Sequence, residues 1–225
     1  MQAQPPTQLP DFEEIWQATL QWQPDSTQKV LFERLYEGIL QGNQHLNLTR
    51  ITDPVAFWEK HLWDSLSGIA PWLNTEESKT VVDIGTGAGF PGLPVAIARP
   101  QDYVTLLDST RKKIAFLDHL VAELGLTQVT PLAVRAEALN PQDWSLDVAL
   151  VRAVSTAANC TAYTLPLLKP GGVAVLYRGR WSAAEAQEVS RTALQYGGTL
   201  ESVVQLSLPL TQGIRHCVYV RKQDG

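Results

Sequence analysis

Cysteine is scarce in this chain of 225 residues: Cys160 and Cys217 are the only two, and they stand far apart without ligand-like spacing. Neither a disulfide framework nor a zinc ribbon is supported, and a reduced, cytoplasmic setting with no metal centre is expected. Positive charge is in deficit, since 18 Lys and Arg against 23 Asp and Glu leave a net charge of −5. No global positive field draws the molecule onto nucleic acid, so any such site must be a local patch. Long apolar runs are lacking too, and none approaches the roughly 18 residues of a membrane span. The start, Met1 to Pro10, has neither the basic region nor the apolar stretch of an export signal, so neither export nor membrane insertion is expected. Asn47-Leu48-Thr49 is then a chance match to a glycosylation acceptor. What is present is ample apolar material: 44% hydrophobic and 18% charged residues exclude wholesale disorder, and the length suits one domain.

From Asp11 to about Leu73 the signals are helical. Phe12, Ile15, Trp16 and Leu20 recur at helical spacing, as do Leu31, Leu35 and Ile39. Asp53-Pro54 offers an N-cap and a first-turn proline to a third helix with the stripe Trp58, Leu62, Ser65 and Ile69. Five tryptophans, at 16, 22, 58, 63 and 72, fall here and suit core packing. After Thr80 the rhythm changes to short apolar runs at Thr80 to Ile84, Tyr103 to Leu107, Val129 to Val134, Val148 to Val151 and Val173 to Tyr177, with amphipathic stretches such as Lys113 to Leu124 between them. Such runs read as strands buried on both faces, hence a parallel sheet covered by helices. Leu200 to Leu206 and Ile214 to Val220 suggest an antiparallel hairpin closing the sheet. The expected organisation is one unit: an N-terminal helical extension, 1–73, packed on an α/β core, 74–225.

The chemistry concentrates in Val81-Val-Asp-Ile-Gly-Thr-Gly-Ala-Gly-Phe-Pro-Gly92. A buried strand running into Gly85, Gly87 and Gly89 marks the first crossover of a nucleotide-binding sheet, where missing side chains let a cofactor approach the backbone. Gly87 to Gly92 satisfies the dinucleotide pattern G-x-G-x-x-G, but its first glycine falls three residues past Ile84. The other frame, Asp83-x-Gly85-x-Gly87-x-Gly89, is the acidic glycine pattern of S-adenosylmethionine (SAM) methyltransferases. SAM has no pyrophosphate, so Asp83 can sit near its cationic methionine end. Asp108, ending the second strand, can accept from both ribose hydroxyls of an adenosine, of SAM or of NAD alike. Ala136-Glu137 follows the third strand, where adenine-edge contacts are usually made, although Glu137 taken alone reads equally as a surface charge. Arg152 ends the fourth strand at the ligand-binding edge, a costly position unless it meets a ligand or an acid. His61 borders the third helix's apolar stripe, as a packed residue or a substrate contact. Lys60 and Asp64, four apart, read as a solvated pair.

Asn47-Leu-Thr-Arg-Ile51, Lys60-His-Leu-Trp-Asp-Ser65, Asp83 to Gly92, Leu106-Leu-Asp-Ser109 with Lys112-Lys113 and Phe116-Leu117, Arg135-Ala-Glu137 and Arg152-Ala153 together resemble the bacterial small-subunit ribosomal RNA methyltransferase G family, also called glucose-inhibited division protein B. The resemblance spans about residues 30 to 221. It implies a Rossmann-like class I SAM-dependent methyltransferase fold, with a mostly parallel seven-stranded sheet, and methyl transfer from SAM to N7 of one guanine in 16S rRNA, leaving S-adenosylhomocysteine. The family's cofactor contacts carry over to Gly85, Phe90, Ala136, Glu137 and Arg152, beside Asp83, Gly87 and Asp108 from the motif itself. One departure is Tyr177-Arg178-Gly179, where the family usually has Leu-Lys-Gly: a compact ammonium becomes a planar fork.

Guanine N7 has an in-plane lone pair and loses no proton on methylation, so no general base is expected, only alignment; Arg152 and His61 are candidate positioning residues. An Asn/Asp-Pro-Pro-aromatic motif for exocyclic amines is absent, and Cys160 lacks the preceding proline of a covalent cytosine enzyme. The partner implied is 16S rRNA or the small ribosomal subunit, met by a monomer with no membrane contact. Candidate RNA-binding residues are Arg50, Lys60, Arg111, Lys112, Lys113, Arg178, Arg180 and Arg215, which could ring the cofactor mouth. Phe90 and Trp181 could stack on a base, Phe90 equally covering the cofactor. The alternatives are a SAM methyltransferase with another substrate and a non-catalytic RNA-binding module that keeps the fold.

Overall fold

The N-terminal helices are fixed by their ends as much as by their apolar faces. In the computed structural model, which describes residues 8–224, α1 (Glu13–Leu20) turns Trp16 and Leu20 inward. The first seven residues of the expected tail lie outside the described residues. Helix α2 (Ser26–Asn43) starts with a reciprocal capping box: the Asp25 carboxylate accepts from Gln28 N at 2.8 Å and the Gln28 side chain accepts from Asp25 N at 2.9 Å. Gln28 Nε2 also donates to the carbonyls of Ile97 and Ala98, the last two residues of α5 (Gly92–Ala98). One side chain thus caps two helices and joins the extension to the core.

The expected third helix differs in form. Asp53 caps it as read, accepting from Ala56 N at 2.8 Å, but an α-helical turn, α3 (Pro54–Phe57), leads into a π-helical segment, Trp58–Trp63, before α4 (Asp64–Ser67). Ile69 falls beyond its end. The cause lies in what the tryptophans must reach. Trp58 meets Trp16 of α1 edge to face at 4.8 Å, and Trp63 Nε1 donates to Thr19 Oγ1 of the same helix at 2.8 Å. Residues five apart diverge on an α-helix, whereas the i→i+5 turn brings both to α1. Trp16, Trp22, Trp58 and Trp63 are all buried, as their clustering suggested.

The sheet holds seven strands: β1 (Thr80–Ile84), β2 (Tyr103–Asp108), β3 (Val129–Ala133), β4 (Leu146–Arg152), β5 (Leu168–Arg178), β6 (Gly198–Ser207) and β7 (Ile214–Lys222). Their order is β3-β2-β1-β4-β5-β7-β6, parallel from β3 to β5 and antiparallel in the closing hairpin. The order reverses between β1 and β4, so their carboxyl ends frame the crevice where such sheets take ligands. Helices α6 (Arg111–Leu124), α7 (Ala157–Thr164) and α8 (Ala183–Gln195) complete the cover. One apolar cluster joins Trp16, Phe32 and Trp58 to Val81, Leu93 and Leu106; a second joins Val82, Ile84, Ala149, Val151 and Val189. Alternate β1 residues enter different clusters, as expected of a strand covered on both faces. The third run is an exception: β3 is one of the sheet's two edge strands, with Leu132 40% exposed and Pro131 within it. Proline is tolerated there because an edge strand leaves one row of amides without a ladder partner.

Candidate functional site

The glycine loop sits on a buried acid. Asp83 is fully buried near the end of β1, and its Oδ2 accepts from Thr86 Oγ1 at 2.6 Å and from Gly92 N at 2.8 Å. It therefore lies beneath the loop, and it is not among the residues that line the three cavities described below. Its Oδ1 is buried without a partner among the described residues, and burial pushes the carboxyl up to about 6 despite both hydrogen bonds and the Arg152 charge. Gly85 and Gly87 hold φ of +71° and +61°, the left-handed region open to glycine at least cost. A Cβ on Gly87 would find only Gly85 O, at 3.9 Å, so the loop leaves an open cradle there. A Cβ on Gly85 would come within 2.4 Å of Val154 Cγ2.

Asp108 locks that loop from the neighbouring strand: Oδ2 accepts from Gly87 N at 3.0 Å and Oδ1 from Thr110 N at 2.8 Å. Each oxygen keeps a second lone pair, so the carboxylate can still accept from hydroxyls, but it is also a brace. Two adjoining cavities follow the carboxyl edge. One of about 140 Å³ lies between Gly85, Asp108, Ala136, Glu137, Val154 and Tyr163; the other, about 380 Å³, lies between Gly87, Phe90, Asp108, Lys113, Arg152 and Val154. Gly85, Asp108 and Val154 line both, making one trough. It brings together Gly85, Gly87, Phe90, Asp108, Ala136, Glu137 and Arg152. Phe90 is buried and stacks on His61, centroids 4.3 Å apart and planes 6° apart, so its ring is taken up inside the fold rather than offered to a base.

The polar residues of the π-helical segment and the start of α4 face inward. Glu59 accepts from Leu210 N, Thr211 N and Thr211 Oγ1 at 2.7 to 2.8 Å, pinning the β6–β7 connection. Asp64 is fully buried and pairs with arginines from two strands: Arg152 Nη1 donates to its Oδ2 at 3.1 Å and Arg215 Nε to its Oδ1. The expected solvated pair of Lys60 with Asp64 is therefore absent. The helix crosses the interior, so its polar side meets the ends of β4 and β7 rather than water. Arg152 Nη1 also donates to Lys60 O at 2.8 Å, and its Nη2 stands 3.4 Å from His61 Nδ1. An arginine can only donate, so Nδ1 accepts and the ring proton sits on Nε2, 2.9 Å from Thr49 Oγ1. Burial and the Arg152 charge lower His61 to about 3, leaving it neutral.

A third cavity, about 510 Å³, lies beyond Arg152 and is lined by Lys60, Arg178, Arg180 and Arg215 with Glu185 the one acid. His61, Arg152 and Ala153 line both it and the trough. The cations differ in freedom. Arg178 is tied to Ser155 O at 2.9 Å and Glu185 at 3.3 Å, and Arg215 to Asp64, whereas Lys60 and Arg180 make no side-chain hydrogen bond among the described residues. Lys113 reaches the trough; Arg111, Lys112 and Arg50 are exposed and line none of these cavities. Trp181 is half-buried against the second apolar cluster. Glu59, Asp64, Tyr163 and Val154 were not singled out as site residues; Asp64 lies within a motif, but its arginine partners are 88 and 151 residues away.

The family model described as rRNA small subunit methyltransferase G matches residues 28–217. A ribosomal RNA small subunit methyltransferase G of Trichormus variabilis is 53% identical over 221 residues, 95% of this chain and 90% of that protein. One from Synechococcus elongatus is 52% identical over 210 residues, covering 92% and 87%. Among solved structures, the M. jannaschii TYW2 complex with AdoMet aligns with a TM-score of 0.59 at 16% identity, over 78% of this chain and 79% of that one. The [4+2]-cyclase SpnF aligns with a TM-score of 0.60 at 15% identity, over 90% and 98%. At such identities the likeness is one of fold.

Proposed function

This chain belongs to the rRNA small subunit methyltransferase G family, and from that premise we infer that it transfers a methyl group from SAM to N7 of one guanine in 16S ribosomal RNA, in the cytoplasm. The observation that carries this reading is the meeting, at Arg152, of a glycine-floored trough with a cavity rich in cations.

The residues of the trough suit SAM. Ala136 and Glu137 would meet the adenine edge, Asp108 would accept from the ribose, and Gly85 and Gly87 would give the methionine part access to backbone. The orphaned Asp83 Oδ1 fits a cationic ligand nearby, because a positive charge would relieve its burial. When bound, SAM supplies a methyl group on a sulfonium sulfur: the N7 lone pair forms the new C–N bond, the C–S pair goes to sulfur, and no proton moves. The chain therefore needs no base. His61 is neutral with Nδ1 facing Arg152, and Cys160 and Cys217 are buried thiols raised by burial, Cys217 to about 12. What these residues supply is alignment, with the Arg152 guanidinium, 5.7 Å from the Phe90 ring centre, fixed at the border between cofactor and base.

The test is to incubate the protein with labelled SAM and small subunits, or naked 16S rRNA, from cells lacking the gene, and map the product by mass spectrometry. One 7-methylguanosine at a single position is expected. Methyl transfer to another base, or none to either substrate, would overturn the reading.

A further inference from the structure

We propose that Asp64 is a positioning residue for base choice: it holds Arg152 so that a free N–H of the guanidinium donates to O6 of the target guanine. The proposal rests on the reading of function above and names how that site tells guanine from other purines.

Arg152 stands on the border of the two cavities, with Ala153 and His61 as the other residues common to both. A base in the cationic cavity that receives a methyl from the trough must bring its reacting atom past this border. The atom next to N7 on that edge is O6 in guanine, an acceptor, and the N6 amino group in adenine, a donor. An arginine has donors only. It therefore accepts guanine and opposes adenine, and by reaching O6 alone it leaves the N7 lone pair free to react.

The donors on Arg152 are divided in a way that suits this. Nη1 is spent on Lys60 O and Asp64 Oδ2, and one hydrogen of Nη2 points to His61 Nδ1. Nε and the second Nη2 hydrogen have no partner among the described residues. The guanidinium is thus clamped on one side and open on the other. Asp64 provides the clamp and is itself immobilised, since its other oxygen takes Arg215 Nε. A carboxylate can serve two arginines at once. An amide cannot, because its NH₂ would face a guanidinium donor.

The experiment uses small subunits reconstituted with 16S rRNA carrying guanine, inosine or 2-aminopurine at the position the wild-type protein methylates. Inosine keeps O6, and 2-aminopurine lacks it. The wild-type protein is expected to favour guanine and inosine over 2-aminopurine by roughly tenfold or more, the scale of a specific base contact. Asp64→Asn should bring the guanine and inosine rates down toward the 2-aminopurine rate, with SAM Kd changed by less than about threefold. Arg215→Lys keeps a charge at a half-buried position and loosens the clamp from the other side, so it should shift the ratio in the same direction but less. A merely structural role would slow all three substrates alike. An unchanged ratio in folded, SAM-binding Asp64→Asn overturns the proposal, and if that variant does not fold, an unchanged ratio in Arg215→Lys does so. Failure of the wild-type protein on guanine-bearing subunits would instead refute the assigned reaction.

Discussion

Replacing Asp83 by asparagine should separate what this carboxyl does for the fold from what it does for the cofactor. In the free protein it ionises at about 6 rather than 3.8, because it is fully buried with one oxygen unpartnered. A shift of that size corresponds to about 3 kcal/mol of penalty on the charged form. For an acid raised in the folded state, stability is fully present below the unfolded value and is lost as pH rises through the folded one. From 3.8 and about 6, this single group should remove roughly 1 kcal/mol of stability between pH 5 and pH 7. In Asp83→Asn the amide oxygen can keep the bonds from Thr86 and Gly92, while the NH₂ takes the orphan position, at a cost of about 1 to 3 kcal/mol for unmet donors. The variant lacks this titration, so its stability relative to wild type should rise by roughly 1 kcal/mol from pH 5 to pH 8.

SAM should reverse the penalty in wild type alone. If the bound cation lowers Asp83 again, wild-type affinity should rise from pH 5 to pH 7, with proton release on binding at the lower pH. Asp83→Asn should bind more weakly at pH 7 and lack that rise. Urea denaturation at several pH values, and calorimetry in buffers of different ionisation enthalpy, measure both effects. If the stability difference between the two proteins were constant from pH 5 to pH 7, the buried ionisation described here would be refuted.

Single-turnover methylation should be nearly flat from about pH 6.5 to 9, because His61 titrates near 3 and no base is required; a tenfold rise per pH unit, abolished by one substitution, would show that a base exists. Gly87→Ala should weaken SAM at least about tenfold while costing the fold only the ~1 to 2 kcal/mol of a side chain at positive φ, since its Cβ projects into open space; retained affinity would remove the loop from the cofactor site. The double change Arg111→Ala and Lys112→Ala should lower the salt dependence of RNA binding by roughly one phosphate per contacting charge, leaving SAM affinity nearly intact because neither residue lines the trough. A parental slope would move the RNA grip to Lys60, Arg180 and their neighbours.

The parts of this molecule legible in sequence are those set by short-range spacing. The run from Val81 to Gly92 declares a strand, a loop of left-handed glycines and a helix packed on Asp83, because each requirement acts within ten residues. Asp108 was readable for the same reason, as the last residue of its strand. That its carboxylate braces Gly87 N depends on strand pairing and left no local sign. Asp64 was misread because helical spacing relates it to Lys60, while its real partners enter through the sheet order that sets β4 and β7 on either side of β5. The third run looked like the others in composition, and only its outermost place exposes it. Phe90 presents the same difficulty: an aromatic beside a cofactor loop is equally a lid or a wall until His61 is found stacked against it.

That same sheet order explains how a chain of net charge −5 can present a cationic cavity. Charge excess matters less than where each acid is spent. Glu59 is consumed by three donors of the β6–β7 connection and Asp64 by two arginines, both below the cavity floor. Asp83 and Asp108 are directed to the glycine loop. Of the lining residues only Glu185 is acidic, and it is engaged by Arg178 and Ser182. Lys60 and Arg180 are left without a side-chain partner among the described residues, beside arginines that are held in place. On the proposed reading such a site would divide its labour: the cations without an ion pair would attract phosphate over a distance, and the anchored ones would read the base edge at contact. High salt should then weaken capture of the RNA far more than it weakens the preference for guanine once the base is in the cavity, because a screened field loses strength with distance while a short hydrogen bond does not.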